Sequence, residues 1–349
     1  PLEPRMLLSG DGLPLPIMAA LADPEEVLEI QLEDISNDVT LQFAGDAVIV
    51  FDNMTPSDPG TSYSLEGITE FKITGDGDDE VIHLDIVKPP DGLSIFLDAG
   101  AGMDSLVLEG GTFNQVRYEA DGAGSGSIGL DGLRIAYTGL EPITDNTHAR
   151  DRIFTVNMAG DQIIHLADDG DAANGQAIIQ GGDVTQFESI TFTHPTHSLT
   201  INAGDGDDVI QIGPLEDSFG ASIAVNGGDG ADTLTIDADG GTPVFDTGKV
   251  TVNGVDISYQ TDTEDIEIQN VSLNALDQES ILDSLQNLAD AAGIEKLGKA
   301  GDLARELPLT DNTLGELIDA GAVLQKLHDD VEDFFEDPAN ATTKQFIDF

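Results

Sequence analysis

The sequence predicts a mostly β protein: a parallel β-solenoid, or β-helix, with coils of about 24–25 residues in two repeats of about 115 residues, followed by an amphipathic α-helical segment. Three observations point there. Gly/Asp-rich turns recur, as GDGDD from Gly75, GAGMD from Gly100, GDGDD from Gly204 and GDGAD from Gly228. The short runs between them alternate apolar and polar residues, as strands with one buried face do. After Asn270 the apolar period becomes that of a helix.

The turns set the coil length. Asp79 precedes Asp104, and Asp208 precedes Asp232, by one such coil. The runs SLTINA, DVIQIG, ASIAVNG and DTLTIDA put Leu199, Ile201, Ile210, Ile212, Ile223, Val225, Leu234 and Ile236 on one face. Short strands with turns at one coil length predict coils stacked in parallel register around that face. Two antiparallel sandwich domains are the competing architecture.

Longer matches define the repeats. VTLQFAGDAVI (39–49) parallels FTVNMAGDQII (154–164), and GSIGLDGLRIAY (126–137) parallels GKVTVNGVDISY (248–259), with Tyr137 and Tyr259 equivalent. The block order is the same both times, and each block recurs one repeat length later. The chain therefore divides into a leader (1–27), β repeat 1 (28–148), β repeat 2 (149–271) and a helical segment (272–349).

In the last segment Ile281, Leu285, Leu288 and Ala292 are at helical spacing, with Gly293 as a stop. A second helix places Leu314, Leu317, Ile318, Leu324, Leu327, Val331, Phe334 and Phe335 mostly on one stripe. Thr313 and Glu316 have capping-box spacing at its start, Pro308 separates the helices and Pro338 ends the second. Both chain ends read as cuts in a longer polypeptide.

Composition narrows the function classes. With 67 acidic and 13 basic residues the net charge is −54, which repels nucleic acid and anionic membranes. The absence of cysteine removes disulfides, cysteine–zinc sites and thiol nucleophiles. His194 and His197 in THPTH are half a metal site at most, with no further ligand nearby in sequence. No apolar run is long enough to span a membrane.

The Gly/Asp turns carry the chemistry. GGDGADTLT (227–235) fits the nonapeptide G-G-x-G-x-D-x-U-x, with U a large apolar residue. AGDGDDVIQ (203–211) and AGAGMDSLV (99–107) fit with one Gly replaced by Ala. TGDGDDEVI (74–82) starts with Thr and carries an extra residue, a predicted bulge, before Ile82 and Leu84. Calcium takes six to eight oxygens, mixing carboxylates and carbonyls. Glycines permit positive φ and turn several carbonyls into one space. One turn supplies about half such a shell, so turns one coil apart are expected to pair. The expected Ca²⁺ sites are one between Asp79 and Asp104 and one between Asp208 and Asp232. Around them stand Gly75, Asp76, Gly77, Gly100, Gly102, Gly204, Asp205, Gly206, Gly228, Asp229 and Gly230. The alternative, metal-free corners of a solenoid, stays open.

These nonapeptides resemble the RTX (repeats-in-toxin) calcium-binding repeats of secreted bacterial proteins. The resemblance covers only the four turns, a small part of the chain. It implies export by a type I-like route, folding when calcium is met outside the cell, and a parallel β-roll-like geometry. The longer coil departs from that family, which argues for a broader β-helix with RTX-like corners. At the N-terminus LEPRMLL, Leu2 to Leu8, resembles the LEPR-XLL motif near the start of very large bacterial surface or secreted proteins. Segments like LPLTDNTLGELIDAGAVLQKL also resemble helical stretches of such proteins. Together the resemblances imply part of a giant extracellular structural or adhesive protein of the bacterial cell surface, self-associating or joined to neighbouring domains.

An enzyme is the less favoured class. A calcium-dependent polysaccharide-active β-helix needs cations beside its carboxylates. Lys72, Lys88, Arg117, Arg134, Arg150, Arg152 and Lys249 form no cluster along successive coils. Nucleophile-elbow, Walker and HExxH motifs are absent. The glycine-rich GAGSG (122–126) has no lysine after it to make a phosphate cradle. A glycan-binding module is thinly supported, with no Trp and four Tyr.

Overall fold

The computed structural model describes residues 20–21, 27–32, 35–55, 57–87, 89, 92–171, 173–182, 186–259, 265–269, 271, 278, 281–286 and 320–336. LEPRMLL, Lys88 and most of the predicted helical tail (Leu288 to Ile318, and Pro338) lie outside them. The chain forms two compact units, Pro1–Ile236 with Pro243–Glu267, and Asp237–Thr242 with Ile268–Phe349.

The protein is mostly β, in two sheets. The 13-stranded sheet begins with β1 (Ala20–Leu21), β2 (Val27–Gln31), β6 (Glu70–Thr74), β8 (Ser94–Asp98), β12 (Leu133–Thr138) and β11 (Ser125–Leu130). It continues through β10 (Thr112–Gly122), β14 (His148–Val156), β18 (Ser198–Asp205), β20 (Ser222–Asp229), β24 (Val255–Tyr259), β23 (Lys249–Val252) and β22 (Val244–Asp246). The 12-stranded sheet begins with β25 (Asp265–Gln269), β21 (Thr233–Asp237), β19 (Val209–Ile212), β15 (Ile163–Asp168), β16 (Gln176–Gly181) and β17 (Ile190–Thr193). It continues through β13 (Leu140–Asp145), β9 (Asp104–Glu109), β7 (Val81–Asp85), β3 (Asp38–Phe43), β4 (Ala47–Asp52) and β5 (Thr61–Ser64).

From β6 to β9, and from β18 to β21, successive strands alternate between the sheets. Their pairing is parallel, with one constant offset in all four ladders: Glu70↔Ser94, Val81↔Ser105, Ser198↔Ser222 and Val209↔Thr233. Period-two burial follows. Leu199, Ile201, Ile210, Ile212, Ile223, Val225, Leu234 and Ile236 are all buried, as are Ile82 and Leu84. At about 0.025 kcal/mol per Å² of apolar surface, such rows stabilise the stack far more than its exposed polar pairs do.

The sheets are mixed rather than wholly parallel. The triples β3–β4–β5, β15–β16–β17, β10–β11–β12 and β22–β23–β24 each contain two successive antiparallel pairs. Two of the turns show how the chain reverses. Asp131–Gly132 joins β11 to β12 with φ of 47° and 119°, and Asn253–Gly254 joins β23 to β24 with φ of 50° and 83°. Positive φ at both central residues matches the twist of a two-residue hairpin.

Pairing also corrects one repeat match. The block 39–49 makes the antiparallel hairpin β3–β4, whereas 154–164 passes from β14 in one sheet to β15 in the other. The counterpart of β3 is β15, since Asp38 pairs with Val81 as Ile163 pairs with Val209. In the second unit, α1 (Ala320–Glu336) buries Val331, but Leu327 of the predicted stripe is 42% exposed. Residues 281–286 are helical as their spacing predicts.

Candidate functional site

The loops before β19 and β21 are two copies of one conformation. Gly204 and Gly228 have φ of 109° and 110°, and Gly206 and Gly230 both have 144°. Loop 227–232 stacks so closely on loop 203–208 that a Cβ on Gly228 would lie 1.8 Å from Gly204 O, and one on Gly230 2.0 Å from Gly206 O. Asp208 and Asp232 close the loops and are 0% and 1% exposed. Asp208 N donates to Asp232 Oδ1 at 3.0 Å, and Gln162 N donates to Asp208 Oδ1 at 2.7 Å. The other oxygen of each carboxylate, Oδ2, is buried without a hydrogen-bond partner. Burial, together with Asp232, Asp161 and Asp207, holds the Asp208 carboxyl above its ordinary range, against the pull of the Gln162 N–H.

The first pair differs from its sequence expectation. Register is unbroken from Thr74↔Asp98 to Val81↔Ser105, so the predicted bulge is absent. The residue opposite Asp104 is therefore Glu80, not Asp79. Glu80 is 2% exposed and Asp104 0%, while Asp79 is exposed. Glu80 N donates to Asp104 Oδ1 at 2.8 Å, and no other group donates to Glu80 Oε2 or Asp104 Oδ2, which are buried. A proton on the Glu80 carboxyl is within hydrogen-bonding reach of the Asp104 and Asp76 carboxylates. Burial first, then Asp104 and Asp76, pushes Glu80 up to about 8. Asp76 is lowered by the Asp78 N–H, then by Glu80. Of the predicted glycines here only Gly100 has positive φ, 98°, and a Cβ there would lie 2.0 Å from Asp76 O. Gly75, Gly77 and Gly102 are needed for space or not at all: a Cβ on Gly75 meets Ala99 O at 2.1 Å, one on Gly102 meets Asp78 O at 2.3 Å, and one on Gly77 meets nothing closer than 3.8 Å.

Asp205 and Asp229, also expected at the metal, are exposed. The residue before each closing position has a separate task. Asp79 Oδ1 accepts from Met103 N at 2.8 Å, and Asp207 Oδ1 accepts from Ala231 N at 2.9 Å. Neighbouring loops are thus tied in both directions, by the closing carboxylate of the later loop and by the preceding carboxylate of the earlier one.

A third loop joins the second stack. Loop 157–162 lies against 203–208, where Asp161 Oδ1 accepts from Asp207 N at 3.0 Å just as Asp207 accepts from Ala231. Sequence reasoning missed Glu80, Gln162 and also Glu188, which precedes β17. All share a legible signal, a buried apolar residue two places on: Ile82, Ile164 and Ile190. Glu188 Oε1 accepts from Gly124 N in the GAGSG turn at 2.8 Å, its Oε2 is unpartnered, and burial raises it to about 7.

The donor set fits a hard cation. Unpaired buried carboxylate oxygens require a proton or a positive ion. Carbonyls of the preceding loop, such as Gly204 O and Gly206 O, face the same stack. Calcium accepts such a mixture, with Asp104 or Asp232 as the anionic ligand. Among the described residues, three His, Cys, Asp or Glu ligand atoms converge within 4.8 Å in one place, His328, Asp329 and Glu332 on α1. The Gly/Asp loops accordingly offer carboxylates one or two at a time.

Three features lie outside the loops. Arg152, fully buried, donates to Asp145 Oδ2 at 2.6 Å, to Thr147 O at 2.7 Å, and to the Tyr118 hydroxyl, which itself donates to Asp145 Oδ2 at 2.5 Å. Arg134 and Arg117 are brought together on either side of Gly129, a proximity their sequence positions hide. Beside them Phe96, 39% exposed, lies between Lys72 and Ala136 in an open groove of about 250 Å³ with Thr74, Asp98 and Thr138. His197 pairs with Asp151 at 2.7 Å, while His194 rests against Phe219. No family model, curated protein or solved structure matches the chain.

Proposed function

We propose that the chain is a calcium-stabilised β-solenoid with a structural, non-catalytic task outside a bacterial cell. The observation that carries this is the set of buried, unpartnered carboxylate oxygens on Asp104, Asp208 and Asp232 inside stacked glycine loops. Without a cation these charges oppose stacking; with one they hold successive loops together. Placement outside the cell, in a giant surface or adhesive protein that self-associates, rests on the RTX-like and LEPR-XLL resemblances. The two repeats and the helical tail are then successive segments of that larger protein. The test is a circular-dichroism melt in excess EDTA, in millimolar calcium and in millimolar magnesium. Calcium alone is expected to raise the transition by many degrees, and identical melts in all three would overturn the proposal.

A second class, a module binding an anionic glycan, is favoured by Phe96 with Arg134 and Arg117 on one outward face of an acidic chain, where the neighbouring Lys72 is paired with Glu70 at 2.9 Å. Retardation in a polygalacturonate gel, lost in Phe96→Ala and Arg134→Ala, would favour it.

A further inference from the structure

We propose a divalent-cation site, resting on the calcium function above, between loops 157–162 and 203–208, with Gln162 and Asp208 as side-chain ligands. No nonapeptide marks it: residues 157–162 read NMAGDQ. The register slips by one residue at the start of this loop, from Thr155↔Asn202 to Ala159↔Asp205, but from there the closing half of the motif-bearing interface is repeated. Gln162 N donates to Asp208 Oδ1 as Asp208 N donates to Asp232 Oδ1. Asp207 N donates to Asp161 Oδ1 as Ala231 N donates to Asp207 Oδ1. Gly206 packs on Gly160, where a Cβ would lie 2.7 Å from Gly160 O.

The independent sign of a ligand is the amide. Gln162 is 6% exposed, its Nε2 donates to Gly160 O at 2.7 Å within its own loop, and its Oε1 is buried without a partner. The bond to Gly160 fixes which end of the amide is the donor, so the remaining atom is an acceptor. Asp208 Oδ2, on a side chain 0% exposed, is also unpartnered, and the Oδ1 of the same carboxylate accepts from Gln162 N at 2.7 Å. A neutral amide oxygen beside a carboxylate suits calcium, whose shells mix both with backbone carbonyls. The corresponding residue of the first repeat, Asn37, whose O accepts from Val81 N as Gln162 O accepts from Val209 N, is exposed. The extra site thus belongs to the second repeat.

The experiment is isothermal titration of calcium into the metal-free full chain and its variants, with circular dichroism confirming the fold. Gln162→Leu should bind one calcium fewer than the wild type, while Asp232→Asn loses the neighbouring site and keeps this one. Gln162→Glu, which adds a charge to the shell, should keep the stoichiometry and tighten one site on the order of tenfold. Calcium binding to the wild type with unchanged stoichiometry in Gln162→Leu would overturn this site and leave the proposed function standing. No calcium binding to the wild type would remove both. If Gln162→Leu does not fold, Gln162→Glu decides, and unchanged affinity there counts against the site.

Discussion

Asp232 reaches back one loop to accept the backbone N–H of Asp208 at 3.0 Å, leaving its second oxygen buried and unpaired. Neutralising that oxygen has opposite consequences with and without calcium. Asp232→Asn removes a charge that burial disfavours, so the metal-free melt should stay level or rise. In calcium at 100 times Kd, a lost site removes about 2.7 kcal/mol of linkage. The calcium-induced shift of the melt should therefore shrink in the variant. An undiminished shift would mean that Asp232 holds no cation.

Gly228 is fixed twice over, by φ of 110° and by Gly204 O at 1.8 Å from any added Cβ. Gly228→Ala should cost roughly 1–3 kcal/mol through the backbone conformation alone, with the overlap adding to it. Gly77→Ala, with nothing nearer than 3.8 Å and no positive φ, should be close to neutral. Comparative urea unfolding in EDTA separates these cases without any metal.

Much of the fold was legible because burial imposes period two on the strands, and the residues assigned inward are buried. The hairpins were legible too, in the dipeptides Asp131–Gly132 and Asn253–Gly254 between apolar residues, but the recurrence of Gly/Asp turns outweighed them. A similar string misassigned 154–164: AGD recurs in both blocks, yet the turn in one closes a hairpin at Gly45 while the other stacks through Asp161 and Gln162. At the site, a rule that counts from the glycines selects Asp79. Counting back two from the apolar anchor Ile82 selects Glu80, which is what packing obeys, since the anchor fixes the register. Arg152 shows the limit of reading cations as surface: it occupies an inward position of β14, between buried Ala149 and Phe154.

Glu188 supplies a pH dependence. Its carboxyl titrates near 4.5 when unfolded and about 7 when folded, so the folded state holds the proton more tightly. Its contribution to stability is full below about 4.5 and is lost as pH rises through about 7. Glu80, raised to about 8, acts in the same direction. Glu188→Gln should flatten the fall in metal-free melting temperature between these limits, leaving the part due to Glu80 and Asp208. A variant whose pH profile matches the wild type would show that folding does not raise the Glu188 carboxyl.

The Arg152–Asp145–Tyr118 cluster joins β14 to β13 and β10 without water-facing atoms on either charged side chain. Burial pushes the Tyr118 hydroxyl well above its ordinary range, so it stays a donor to Asp145. Arg152→Met leaves the Asp145 carboxylate buried beside only a phenol and the Thr147 N–H, 2.7 Å away. Breaking such a pair from one side costs roughly 3–5 kcal/mol. Arg152→Met with Asp145→Asn should recover a good part of that loss, because no charge is then stranded. Lys249→Ala, at an ion pair 2.9 Å long but 37% and 48% exposed, should change stability by no more than about 1 kcal/mol. Equal losses in Arg152→Met and Lys249→Ala, measured by denaturant unfolding, would show that the buried cluster contributes no more than a surface pair.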